Sequence, residues 1–182
     1  MAETATKTQT KDNPMQEIRI EKITLNIGAG ADPKKVEKAI MLLSTISGMK
    51  AVEAQAKKRI AAWKLRPGLA IGAKVTIRNN TEELLIRLLK ANSSVISKRK
   101  FNENGFSFGI EEYINIPEVK YEPKIGIIGL NVSVTLKRPG FRIKKRKLAP
   151  RKISSSHRIT KEDAIKFAET KLGVKVEWNY RE

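Results

Sequence analysis

Two stretches of the chain concentrate basic side chains and contain no acidic ones. The first, residues 54–78, reads AQAKKRIAAWKLRPGLAIGAKVTIR and carries seven lysines and arginines. The second, residues 136–158, reads LKRPGFRIKKRKLAPRKISSSHR and carries ten. Ammonium and guanidinium groups neutralise phosphates and release the counterions that surround a polyanion. Clustered charge of one sign repels itself and costs folding stability, so the two stretches predict a polyanionic partner, foremost a nucleic acid.

The rest of the chain is close to neutral. The 182 residues include 37 basic and 19 acidic side chains, a net charge of +18. Once the 17 bases of the two stretches are set aside, 20 bases remain against 19 acids. The charge is therefore concentrated rather than spread. An anionic membrane surface and a solvated lysine-rich surface without a partner are the alternatives, although no apolar run approaches the roughly 18 residues of a membrane span.

Aromatic side chains near the basic stretches could stack on unpaired bases, the usual route to specific contacts with RNA. Trp63 precedes Lys64 in a loop rich in glycine and proline, where a functional contact is favoured over a place in the core. Phe101, Phe106 and Phe108 are further candidates for stacking. For Phe106 and Phe108, a place in the core explains the pattern at least as well.

Catalytic and metal-binding patterns have little support. The absence of cysteine excludes disulfides, thiolate catalysis and cysteine zinc sites. His157, the only histidine, has no carboxylate nearby in sequence and is interpreted as an exposed or phosphate-facing loop residue. The adjacent glutamates at 82–83 and 111–112 have diverging side chains and are expected at the surface. The sequence thus predicts a protein that is not an enzyme and holds no cofactor or metal.

A nucleotide-using enzyme is the alternative from another class. The segment NIGAGADPKK places Gly28 and Gly30 between a strand and a helix, as a dinucleotide-binding turn would. Pro33 occupies the position of the third glycine of that fingerprint. A tight turn that leads the chain back into the helix accounts for the same residues, and the helix N-terminus could also meet a phosphate of a larger nucleic acid.

Hydrophobic periodicity predicts the elements that position the basic stretches. Alternation predicts strands over 18–28, with an irregularity near 21–22, and over 128–137; further strand-like segments lie at 50–56, 71–78, 106–116 and 174–178. Helices are expected after Asp32, from Thr81, and after Thr160, where Asp163 would complete a capping box. The predicted fold class is α+β, a mostly antiparallel sheet with helices packed on one face, plus extended basic loops.

The chain is expected to form one RNA-binding domain over 15–182, preceded by a flexible polar tail over 1–14. Basic loops are expected near 56–72 and 137–158. The tail has no apolar core and so is neither a secretory signal nor an anchor, and a cytoplasmic location is expected. On the strand over 71–78, alternation separates two faces, with Lys74, Thr76 and Arg78 on one and Ala73, Val75 and Ile77 on the other.

Three segments in this order, KITLNIGAG, ISGMKAVEAQAKKRIAAWKLRPGLAIGAKVTIR and FNENGFSFGIEEYINIPE, resemble the large-subunit ribosomal protein five family. The resemblance spans roughly residues 15–178, and the ending RKISSSHRITKEDAIKFAETKLGVKV is similar to the archaeal branch. It implies an α+β protein that docks 5S rRNA in the central protuberance of the ribosome, beside large-subunit rRNA and neighbouring ribosomal proteins. A free RNA chaperone or ribosome-assembly factor, which would bind many RNAs with similar affinity, is the alternative.

The resemblance also implies which residues bind RNA. A sheet face and its adjoining loops would bind rRNA through Lys22, Thr24, Asn26, Gln55, Lys57, Lys58, Arg59, Lys74, Thr76 and Arg78. The intervening loop would reach toward the peptidyl-site tRNA and the small-subunit head through Trp63, Lys64, Leu65 and Arg66. Independently of the resemblance, charge and Pro/Gly content predict that the second stretch is an extended arm onto rRNA, unstructured or mobile without it. Its contacts would come from Arg142, Lys144, Lys145 and Arg146.

Overall fold

The computed structural model describes residues 13–177, and within them a six-stranded antiparallel sheet forms the centre of the fold. In chain order the strands are β1 (Arg19–Gly28), β2 (Val52–Gln55), β3 (Ala70–Ile77), β4 (Val95–Ser97), β5 (Phe101–Asn102), β6 (Gly105–Ile110), β7 (Leu130–Lys137) and β8 (Lys175–Glu177). The spatial order of the sheet is β2-β3-β1-β7-β6-β5. A separate parallel pair joins β4 to β8. The predicted α+β class is confirmed.

The helices longer than one turn begin where the sequence signals indicate. They are α1 (Pro33–Ser47), α2 (Thr81–Ala91), the single turn α3 (Arg142–Lys145) and α4 (Lys161–Leu172). The Asp32 carboxylate caps α1 by accepting the backbone N–H of Lys34 at 3.0 Å. Thr160 and Asp163 form the expected capping box at the start of α4. Within residues 13–177, no helix is long and apolar enough to cross a membrane.

One face of the sheet is apolar and is covered by helices. Its side chains alternate along the strands with polar ones, so that β1 buries Ile23, Leu25 and Ile27. These pack in one core with the buried residues of α1, α2 and α4, including Leu43, Leu85 and Ala168. The opposite face remains open, since every second residue of β7 is exposed at Asn131, Ser133 and Lys137 or partly exposed at Thr135. Among the described residues, the helices therefore leave this face of the sheet uncovered and accessible to a partner.

An irregularity in β1 sets which side chains lie on the open face. The pairing of β1 with β7 shifts register between Ile20 and Lys22, at the position where the sequence predicts an irregularity. A bulge of this kind inserts one extra residue and reverses the alternation. Ile20 and Ile23 can therefore both pack toward the core while Lys22 lies on the open face.

At β3 the chain approaches its neighbour closely enough to require glycine. A Cβ on Gly72 would lie 2.3 Å from the backbone oxygen of Ile27 in β1. No real Cβ makes such a contact, so any side chain at this position would push β1 and β3 apart. The close pairing of β3 with β1 depends on this glycine.

The structure departs from the predicted elements at α3, where the sequence predicts only a loop, and in two further places. The strand expected over 106–116 ends at Ile110 and is followed by a 3-10 turn at Tyr113–Asn115. Tyr113 and Ile116 are both buried, a three-residue spacing that a turn satisfies and a strand does not. The pairing of β4 with β8 was not predicted, because β4 has only three residues. The predicted strand residue at 178 and the predicted tail, apart from residues 13 and 14, lie outside the described residues.

Candidate nucleic-acid interface

Polar side chains, most of them short, form two rows across the open face of the sheet. In one row Asn26 of β1 pairs with Lys74 of β3 and Asn131 of β7. In the next, Thr24 pairs with Thr76 and Ser133, and the row continues to Ser107 of β6. Amides and hydroxyls donate and accept hydrogen bonds at short range. This surface can therefore bond to the sugars, phosphates and exposed base edges of a nucleic acid.

The first basic stretch extends the β2–β3 ladder into a projection, the basic hairpin, residues 56–69. The backbone N–H of Ala56 donates to the Leu69 carbonyl at 2.8 Å. Further out, Ile60 and Leu65 exchange N–H···O bonds of 3.1 and 3.0 Å. A 3-10 turn at Ala61–Trp63 closes the tip. The predicted loop is thus a hairpin with a defined backbone, carried by the strands that form the open face.

The lysines and arginines of the hairpin have no acidic partner in the part of the chain that the structure describes. Five of them are exposed: Lys57, Lys58, Arg59, Lys64 and Arg66. None takes part in an ion pair or a side-chain hydrogen bond within residues 13–177. Gln55 at the end of β2 and Arg78 after β3 are exposed beside them. Without local compensation, this positive charge is available to a polyanion.

Trp63 and Leu65 of the tip have opposite environments. Trp63 is 69% exposed, which suits a stacking contact, as the sequence predicts. Leu65 is only 8% exposed and, like Ala56, is buried apart from the main core. This burial leaves little Leu65 side-chain surface for the predicted tRNA contact, which stays a prediction. The burial of Leu65 holds the two arms of the hairpin together.

The other aromatic candidates belong to the core. Phe101, Phe106 and Phe108 are all buried, and the rings of Phe101 and Phe106 lie 5.2 Å apart between centroids. Stacking of these rings on RNA bases is thereby ruled out in this fold, and the core interpretation holds. Phe101 lies on the two-residue strand β5, which is too short for alternation to show which way its side chain points.

The second basic stretch forms a closed loop, the basic loop, residues 138–158. The Arg138 guanidinium donates to Asp163 Oδ2 at 3.0 Å and to the Arg158 carbonyl at 3.2 Å. The His157 ring bonds through Nε2 to the Pro139 carbonyl at 2.8 Å and lies edge-on to Phe141. The loop is thus closed at its base, and the predicted extended arm is wrong. His157 is half-buried and structural rather than exposed or phosphate-facing.

The four bases predicted for this loop divide into two pairs. Lys145 forms an ion pair with Glu21 of β1, and Arg146 Nε donates to the Ala149 carbonyl at 2.9 Å. The side chains of Arg142 and Lys144 are exposed and make neither kind of contact in the described chain. Part of the positive charge of the basic loop therefore serves the fold of the loop itself.

The turn before α1 does not resemble a dinucleotide site. β1 pairs antiparallel with both of its neighbours, whereas the dinucleotide fold needs a parallel strand beside it. Gly30 has a φ of 69°, and the Asp32 side chain occupies the first free amide of α1. The tight-turn interpretation is confirmed. Within the described residues, no cluster of His, Cys, Asp or Glu could hold a metal ion.

Comparison with known proteins places this architecture in a family. Residues 13–66 match the family model described as ribosomal protein L5, and residues 70–167 match the model for the C-terminus of the same ribosomal family. The chain is similar to the protein called large ribosomal subunit protein uL5 of Nanoarchaeum equitans, 46% identical, with 91% of this chain and 99% of the relative covered. The proteins of that name from Nitrosopumilus maritimus and Sulfurisphaera tokodaii are 43% and 41% identical, over 92% and 97% of this chain and 98% of each relative. The chain therefore belongs to the uL5 family of large-subunit ribosomal proteins, in its archaeal form.

Proposed function

We propose that this ribosomal protein binds 5S rRNA, using the open face of the sheet together with the basic hairpin. The observation that carries the proposal is the continuity of the two surfaces. β3 contributes Lys74 and Thr76 to the face and leads directly from the hairpin arm. A folded RNA that covers the face therefore also contacts the exposed lysines and arginines of the basic hairpin.

The two parts of this surface bind different groups of the RNA. Lys57, Lys58 and Arg59 lie exposed on one arm of the hairpin, where they neutralise consecutive phosphates. The face has few charges and many hydroxyls and amides, which suit 2′-hydroxyls and the edges of unpaired bases. Phosphate contacts provide affinity for any RNA, whereas the fixed spacing of the rows on the face favours one RNA shape.

The tip of the hairpin extends the proposal to tRNA. Trp63, Lys64 and Arg66 are exposed at the tip, away from the core. In the ribosome this tip would reach toward the peptidyl-site tRNA and the small-subunit head. Trp63 would stack on a base or sugar, and the two cations would bind the tRNA backbone.

As a structural component without catalysis, the protein fixes the position of 5S rRNA in the central protuberance. It acts in translation within the cytoplasmic ribosome, in contact with large-subunit rRNA and with neighbouring proteins of the protuberance and of the small-subunit head. Its side chains contribute free energy of binding to RNA and do not catalyse a reaction.

The test is retention of RNA from a complete mixture. The tagged full-length protein is incubated with total RNA that contains both large rRNAs, 5S rRNA and tRNA, and the retained RNA is identified by size. We expect 5S rRNA to be enriched at near-physiological salt. Retention of all RNAs in proportion to their length would contradict the proposal and support a general RNA chaperone.

The tRNA contact has a separate test. Large subunits reconstituted with Trp63→Ala/Arg66→Ala protein should incorporate 5S rRNA normally and, as 70S ribosomes, hold peptidyl-site tRNA more weakly. Large subunits with Lys38→Ala protein, which alters a base on α1 outside the hairpin, serve as the control. Equal tRNA retention in all three preparations would contradict a role of the tip.

A further inference from the structure

A cleft lies between the basic loop and the part of the sheet where β1 begins and β7 ends, next to the open face. Its volume is about 610 Å³, within the range of sites that bind small organic groups. Six basic residues line it: Lys22, Lys144, Lys145, Arg151, Lys152 and Arg158. Of the two acids in the lining, Glu21 is paired with Lys145, which leaves Glu103. The charge of the cleft complements a phosphodiester chain.

The lining is apolar between these charges. Leu136 and Ile159 are fully buried at its base, and Phe141 and Ile153 are half-buried. Phe141 is the only aromatic residue of the lining and is held edge-on against His157. A site for phosphate alone has no use for apolar surface. A cleft with an apolar floor and a cationic rim suits a nucleotide. The planar nucleobase packs on the apolar floor, and the charged phosphate binds the rim.

The cleft is continuous with the open face. Lys22 and Thr135 pair with each other across β1 and β7, and both also line the cleft. An RNA that covers the face can therefore also contact the cleft. The same RNA molecule would then occupy both surfaces.

We propose that this cleft binds one unstacked nucleotide of 5S rRNA. Its base would lie against Phe141 and Ile153, and its flanking phosphates would meet Arg151 and Lys152. The inference rests on the proposed function, since it assigns a further subsite of the same RNA surface. It also gives the basic loop a reason to be folded, because an extended arm would have no cleft.

A matched pair of double variants tests the cationic rim. Arg151→Ala/Lys152→Ala removes two charges that line the cleft, and Arg142→Ala/Lys147→Ala removes one arginine and one lysine of the same loop that do not. None of the four side chains makes a hydrogen bond or ion pair within the described residues. We expect the first variant to lose about tenfold in 5S rRNA affinity and the second about threefold, since only the first loses subsite contacts besides general charge. Equal losses would overturn the proposal.

A second pair tests whether a base enters the cleft. Chemical probing of 5S rRNA in complex with the wild-type protein should show an unpaired nucleotide whose base edge is protected. Ile153→Gln, which makes the cleft more polar at constant charge, should abolish that protection. Leu148→Gln changes an 82% exposed residue of the same loop and should not. Absence of such a nucleotide, or the same protection with both variants, would overturn the proposal.

The two proposals can fail separately. If the wild-type protein shows no preference for 5S rRNA over tRNA, the proposed function is wrong. The cleft proposal, which assigns a nucleotide of 5S rRNA to the cleft, then fails with it. If the preference exists and the matched double variants behave alike, the cleft proposal fails and the proposed function stands.

Discussion

The basic hairpin and the basic loop have similar compositions and different structures. Both are runs of lysine and arginine without acids, punctuated by glycine and proline. The hairpin keeps its five bases exposed and without an ion pair in the described chain. In the basic loop, Arg138 and Lys145 bond to acids on other elements, and Arg146 bonds to the loop backbone. The number of basic residues in a segment therefore does not by itself give the charge that is available to RNA.

The difference lies in where the acids of the fold are. The basic loop returns to the sheet beside Glu21 and to the start of α4 at Asp163, so two of its cations find carboxylates. The hairpin projects away from the core, and its arms are held by backbone bonds and by Leu65 and Ala56. Its basic side chains do not take part in holding it together. They can be replaced without loss of the fold, which makes the comparison testable.

The largest effect is expected from the hairpin. Lys57→Ala/Lys58→Ala/Arg59→Ala should weaken 5S rRNA binding about 100-fold at moderate salt and lower the salt dependence by about three phosphate contacts. The melting temperature of this triple variant should stay unchanged, because the three side chains form no ion pair or side-chain hydrogen bond within the described residues. Lys144→Ala/Lys145→Ala/Arg146→Ala should cost less affinity and lower the melting temperature. Equal affinity losses for the two triple variants would mean that general charge dominates.

The next effect concerns stability. The Arg138 side chain is only 12% exposed, and its Nε is buried without a partner in the structure, while both terminal nitrogens donate. Arg138→Ala leaves the Asp163 carboxylate and the Arg158 carbonyl without this donor, so urea unfolding should show a loss of about 1–3 kcal/mol. Arg138→Lys should recover part of it. Wild-type stability of the alanine variant would contradict a structural role of this base.

Leu65 and Trp63 are close in sequence, but we expect Leu65 to stabilise the hairpin and Trp63 to contact a partner. Leu65→Ala removes buried surface that holds the arms, so it should make the hairpin more open to amide hydrogen exchange and weaken 5S rRNA binding a few-fold without any change in charge. Trp63→Ala removes an exposed ring and should change neither property. A hairpin that exchanges equally fast in both variants would contradict the assigned role of Leu65.

The smallest effect is expected from Glu17, an acid that is paired with basic residues outside both segments. The pKa of Glu17 is lowered by its hydrogen bond to Arg19 and, next, by that to Lys171. A lowered folded-state pKa adds stability above the ordinary glutamate pKa of about 4.3, and this is lost as the pH falls through the lowered value. Glu17→Gln should therefore be slightly less stable than wild type at pH 7 and equal to it at strongly acidic pH. A constant difference across that range would contradict this.

Local sequence signals predicted most of the fold, because they act over a few residues. The cap at Asp32, the capping box at Thr160 and the irregularity near Lys22 are each decided by neighbours in sequence. The closed form of the basic loop is decided by pairs that are 25 and 124 residues apart, Arg138 with Asp163 and Lys145 with Glu21. Such pairs leave no periodic pattern, so composition alone indicated an extended arm.

Charge in the sequence indicates the candidate site correctly only where the basic side chains have no acidic partner in the described residues. The hairpin bases and the polar positions of β1 and β3 lie where alternation and the family resemblance expect them. The family resemblance implies a tRNA contact for the whole tip and so includes Leu65, whose burial depends on the hairpin pairing with Ile60. The cleft was missed because Lys22 and Arg151 come together only in the folded chain.

The most direct test of the central claim is 5S rRNA binding across a salt series, with tRNA as a competitor of similar charge density. A dedicated surface predicts that 5S rRNA stays bound at near-physiological salt when tRNA is in excess, because the hydroxyl and amide contacts of the open face do not depend on counterion release. Equal affinity for both RNAs, lost together as salt rises, would contradict the account and leave the protein a general binder of RNA.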